Sequence, residues 1–105
     1  MVTYEMTATV RADLTDAYER YMRERHIPDL LATGHFVAAS LGRASPGRYR
    51  ARYEARDAES LDRYLTADAA RLRAHATDRF PEGVTLTREV WTVLASWPRE
   101  GEGAA

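Results

Sequence analysis

Hydrophobic and polar residues alternate from Val2 to Val10, with Tyr4, Met6, Ala8 and Val10 on one side and Thr3, Glu5, Thr7 and Thr9 on the other. A period of two is the signature of a strand with one face buried. The period then lengthens. Leu14, Ala17, Tyr18, Tyr21 and Met22 recur at three- and four-residue spacing, the apolar stripe of a helix, and Asp13 stands where it can cap the start. Pro28 is expected to end or kink this helix near His26, and a short turn from Asp29 to Thr33 closes on Gly34.

Alternation returns in the middle of the chain. His35 to Leu41 reads as a second strand, Gly42 to Gly47 as a turn, and Arg48 to Arg56 as a third strand completing a hairpin. Asp57 is placed to cap a second helix carrying Leu61, Tyr64, Leu65, Ala69 and Leu72, with a break near Thr66 to Asp68. Beyond Phe80, Pro81 and Gly83 a last strand runs from Val84 to Leu94. The order strand, helix, strand, strand, helix, strand predicts a ferredoxin-like α+β sandwich, a four-stranded antiparallel sheet with two helices on one face. Residues 1–95 are expected to form this domain, and 96–105 a flexible C-terminal tail too polar and small to pack.

The face away from the helices is where the pattern points to function. By parity it carries Glu5, Arg50, Arg52, Glu89 and Trp91 among threonines, too apolar for a fully solvated surface and too charged for a dry one. Two such sheets placed face to face would make a barrel of the dimeric α+β kind, so a homodimer through the sheet is expected. Two readings stay open. The arginines and glutamates pair across the sheet or the dimer, or Arg50 or Arg52 holds a carboxylate or phenolate ligand while Trp91 stacks on it.

Composition narrows the chemistry. The 105 residues include no cysteine, which removes disulfides, thiolate metal sites and a thiol nucleophile. Lysine is absent too, and with it Schiff-base chemistry and the phosphate-loop lysine. Fifteen arginines against sixteen acids leave a net charge of −1, with no separate basic block, so nucleic acid is not an expected partner. No run of about 18 apolar residues is present, and Met1 leads at once into the alternating segment. A soluble, cytoplasmic protein that does not engage a membrane is therefore expected. No glycine-rich phosphate loop or nucleophile elbow appears. Acid–base candidates are His26, at the end of the first helix, and His35, at the start of the second strand, both expected near the rim of the sheet. Their spacing with Asp29 is not that of a metal site, so no metal and no cofactor are expected. His75 is expected to be solvated, and Tyr18, Tyr21 and Tyr64 to be core residues.

Several stretches together resemble one family. Tyr4-Glu5-Met6-Thr7, the run from His26 through Pro28 and Thr33-Gly34 to Phe36, Leu61-Asp62-Arg63-Tyr64-Leu65, Phe80-Pro81 and Arg88-Glu89-Val90 are similar to the bacterial family catalogued as domain of unknown function number 4286, over about Val2 to Val90. The resemblance implies a dimeric α+β barrel type of fold and no established activity. Residue by residue, it assigns Gly34 to the backbone and Phe36 to the core, leaving His26 as the functional candidate.

The leading expectation is a homodimer binding a small organic molecule, anionic or aromatic, at the open sheet face. The alternatives are a cofactor-independent enzyme of the monooxygenase or cyclase sort, with His26 or His35 as base, and a structural dimer without a ligand. The sequence leaves open whether there is catalysis and what Arg88 does on the inward parity of the last strand.

Overall fold

The computed structural model describes residues 1–99. Four strands form one antiparallel sheet: β1 Val2–Val10, β2 Ala38–Ser45, β3 Arg48–Ala55 and β4 Val84–Thr92, in the order β2-β3-β1-β4. The registers of β1 with β3 and β4 run without a break, so Tyr4 lies opposite Tyr53 and Val90, and Glu5 lies opposite Arg52 and Glu89. Each row across β3, β1 and β4 thus points wholly to one face, whereas the β2–β3 pairing shifts register between Arg43 and Ser45.

Helices α1 Thr15–Tyr21, α2 Ile27–Ala32, α3 Ala58–Ala67 and α4 Ala69–Arg79 pack on the face that carries Tyr4, Met6 and Ala8. The core between them is aromatic. Tyr4 stands 6.3, 6.2 and 5.9 Å from the rings of Phe36, Tyr53 and Tyr64, while Tyr18 meets Tyr49 at 5.4 Å and Phe80 at 5.6 Å. Burying such a ring contributes roughly 1.5–3 kcal/mol, and burial pushes the Tyr18 and Tyr64 phenols up to about 12. The three core tyrosines expected from helical spacing are in place, with Tyr18, Tyr21 and Tyr64 all buried.

The first helical segment departs from the expected form. Asp13 does not cap it; its carboxylate takes the Arg11 guanidinium at 2.6 Å, and a 3-10 turn over Ala12–Leu14 precedes α1. Pro28 does not end the segment at His26. Lacking an N–H and crowding the carbonyl four residues back, proline disfavours an ordinary α-turn. The chain widens instead into a π-helical turn over Met22–His26, in which the Ile27 N–H reaches the Met22 carbonyl, and Pro28 sits in the first turn of α2. The break near Asp68 is present between α3 and α4, and Asp57 caps α3 by accepting from the Ser60 N–H at 2.8 Å.

Strand ends also shift. β2 begins at Ala38, not His35, because Gly34 takes φ +82° and His35 is drawn to Asp68. It continues through Gly42 to Ser45, so the hairpin turn is only Pro46-Gly47. At Gly47 φ is +81°, and a Cβ would come within 2.7 Å of the Val10 carbonyl oxygen. β3 ends at Ala55 and β4 at Thr92, although the Val93 N–H still bonds the Met1 carbonyl at 3.0 Å. Of the expected tail, residues 100–105 lie outside the described residues.

Candidate functional site

A cleft lies on each face of the sheet. On the open face, Glu5, Arg50, Arg52, Glu89 and Trp91 all line one wide groove of about 640 Å³. Alternation in three adjacent strands brings them there, since Glu5, Arg52 and Glu89 form one row and Arg50 and Trp91 occupy the rows on either side. Glu5 is the most enclosed of the charges. It accepts from the Thr3 hydroxyl at 3.2 Å and faces the Nε atoms of Arg52 at 3.4 Å and Arg50 at 3.9 Å. The Arg52 Nε is buried without a well-directed acceptor. Trp91 donates to Glu89 at 3.0 Å while staying 54% exposed. The segment after β4 adds Val93, Leu94 and Trp97 to the groove, with Leu94 and Trp97 mostly exposed, so the chain past residue 95 is neither all small nor all polar where it meets the sheet.

The second cleft, about 160 Å³, lies between the helices and the inward face of β1 and β4. Its walls are Met6, Tyr18, Tyr21, Met22, Phe80 and Leu86, and its polar members include His26, Arg73 and Arg88. The widened turn carries His26 inward, where it is 5% exposed and its Nδ1 has no hydrogen-bond partner. Burial holds this imidazole neutral, its pKa pushed down to about 4; Asp29 opposes the shift, and His75 and Arg88 add to it. Arg88 answers the question of parity: with the β1–β4 register unbroken, it sits opposite Met6 on the inward side and points along the cleft, not around a bulge. It is exposed, as is its inward neighbour Val90 at 54%, because the helices leave that part of β4 uncovered. Arg73 donates to the Tyr4 hydroxyl at 2.9 Å.

The two expected acid–base histidines are not brought together, and neither lines the open-face groove. His26 belongs to the inner cleft, whereas His35 pairs through Nε2 with Asp68 at 3.0 Å at the α3–α4 break. Asp68 is held below the usual carboxylate range chiefly by its hydrogen bond from Arg71, with His35 assisting. His75 is solvent-exposed and also partnered. Its Nδ1 lies 2.7 Å from the Tyr21 hydroxyl, and Tyr21 stands between it and His26 with both ring centroids at 5.7 Å. Among the described residues, no group of three or more His, Asp or Glu side chains could hold a metal ion, and no helix is long and apolar enough to cross a membrane.

Solved structures share this fold at low sequence identity. SnoaB from Streptomyces nogalater, a cofactor-independent oxygenase, matches with a TM-score of 0.70 at 18% identity, over 93% of this chain and 97% of its own. MhuD from Mycobacterium tuberculosis, a haem degrader with two haems bound in its active site, matches at 0.69 and 17%, over 93% of this chain and 100% of its own. A dimeric ferredoxin-like protein from an uncultured marine organism matches at 0.71 and 8%, over 93% and 98%. No curated protein matches the sequence. Identities this low establish a shared ferredoxin-like α+β architecture and nothing about chemistry. The sequence resemblance is borne out by the family model: over residues 1–94 the chain matches, and it belongs to, the family described as Domain of unknown function (DUF4286).

Proposed function

We propose that the protein binds a small organic molecule in the inner cleft, with the neutral His26 imidazole accepting a hydrogen bond from it, as a homodimer joined through the open faces of two sheets. One observation carries this reading: an aromatic cleft between helices and sheet contains a buried, neutral imidazole with a ring nitrogen left without a partner. Apolar walls, a few convergent polar groups and a perturbed histidine are the features of a ligand site. His35 lacks that setting, being committed to Asp68.

The open-face groove is then read as partner-facing. It carries both signs of charge on neighbouring rows, which a twofold axis can set against each other, and Trp91, Leu94 and Trp97 supply exposed apolar surface beside them. The second reading, a ligand held there by Arg50 or Arg52 with Trp91 stacked on it, is favoured by the size of the groove and by the Arg52 Nε, which faces Glu5 at 3.4 Å without a well-directed hydrogen bond.

Kinship of fold with an oxygenase and a haem degrader supports small-molecule chemistry in general terms. Haem does not fit the inner cleft. The inner cleft, at about 160 Å³, matches the roughly 150 Å³ cavity known to hold one benzene ring, far less than four pyrroles require.

A thermal-shift screen against aromatic acids, phenols, haem and divalent metals tests the proposal, with the cleft-filling Ala76→Phe and the open-face Arg52→Ala variants alongside. A ligand at a hundredfold its Kd adds about 2.7 kcal/mol. The expected result is a shift lost in Ala76→Phe and kept in Arg52→Ala. The opposite pattern transfers the site to the open face.

A further inference from the structure

Building on the inner cleft as the ligand site, we propose that it takes a single-ring aromatic acid, the carboxylate held by Arg88 at the mouth and a ring hydroxyl donating to His26 at the floor.

Size limits the ligand first. A space of about 160 Å³ accepts one six-membered ring with small substituents, on the scale of the roughly 150 Å³ cavity that binds benzene, and excludes a fused bicycle unless the helices part. The walls then select its character. Tyr18, Tyr21 and Phe80 present ring faces and edges, and Met6, Met22 and Leu86 complete an apolar lining in which a flat ring can pack.

The two ends of the cleft differ in charge. Arg88 is a cation on the inward parity of β4, where an apolar residue belongs by pattern, and it makes no hydrogen bond or ion pair among the described residues. A guanidinium with five N–H groups and no acceptor is a ready receptor for a carboxylate. Arg73 lines the same space but is already tied to the Tyr4 hydroxyl. At the buried end the His26 ring lies 5.7 Å from that of Tyr21 on α1, and Asp29 on α2, His75 on α4 and, from the mouth, Arg88 on β4 act on it through their charges. A neutral imidazole keeps one nitrogen lone pair, so it accepts from a hydroxyl. The Asp29 carboxylate near it makes that end unsuitable for a second anion. An acid therefore enters with its carboxylate outward and its neutral donor inward.

Calorimetry on the intact chain tests this, using benzoate, 3- and 4-hydroxybenzoate, benzyl alcohol and 2-naphthoate as probes. One of the hydroxybenzoates should bind most tightly and 2-naphthoate least. Arg88→Met, a change at an exposed position that leaves the fold intact, should weaken the acids at least about tenfold, the effect of losing a charge-assisted hydrogen bond, and leave benzyl alcohol within about twofold. Equal binding of benzyl alcohol and benzoate, tighter binding of naphthoate, or acids indifferent to Arg88→Met would each overturn the assignment. If these probes fail while a compound of another class gives a shift abolished by Ala76→Phe, the ligand class is wrong and the cleft stands. If no compound responds to Ala76→Phe, both are wrong.

Discussion

An imidazole in water is half protonated near pH 6.5, but His26 stays neutral to about pH 4 because burial strips water from the cation. Between those values the unfolded chain binds a proton that the folded chain refuses, so stability rises with pH across that window. The contribution is complete above about pH 6.5 and disappears as pH falls toward 4, with about 3 kcal/mol as its ceiling. Urea unfolding at pH 7.5 and 4.5 should show wild type losing more stability than His26→Leu; equal losses would mean that the imidazole is not held neutral. The sequence marks this residue as a candidate but not its setting. His26 is near Tyr21 along the chain, yet the setting also depends on His75 and Arg88, each about fifty residues or more away, which no local pattern connects. Arg88 was visible as an exception, a cation where alternation calls for an apolar residue, and that exception is the one local signal of the inner cleft.

At the scale of elements, parity in β1, β3 and β4 is readable directly, because a period of two fixes the face of every side chain once one strand is placed. Element ends are less readable, since they answer to tertiary contacts. β2 loses its first three expected residues to the His35–Asp68 pair, and β4 stops when its pairing with β1 runs out at Val2. The π-helical turn has no residue signature beyond Pro28 two positions later, although it is what turns His26 inward. Where a local signal and its structure agree, its strength can be measured. Asp57 caps α3 with a 2.8 Å bond to the Ser60 N–H, and Asp57→Ala should cost about 1 kcal/mol in urea unfolding. A change of less than a few tenths would mean that the α3 terminus is held by packing alone.

At the scale of the molecule, the two faces of the sheet differ in character. The helix face encloses the inner cleft, and the open face presents Glu5, Arg50, Arg52 and Glu89 beside exposed Trp91 and Trp97. If two sheets meet there, the protein sediments at twice the 11.9 kDa mass of the chain, and Trp91→Glu, at an exposed site, converts it to a folded monomer. A wild-type monomer at tens of micromolar would leave the groove free for a ligand.

A bound ligand occupies one of these two faces. Backbone amide shifts of the labelled protein, recorded with and without the aromatic acid that stabilises it most, decide between them. Perturbations centred on Met6, Tyr21, His26, Ala76, Leu86 and Arg88 are expected. Perturbations centred on Glu5, Arg50, Arg52 and Trp91, with the helix face silent, would contradict the account and return the site to the open sheet.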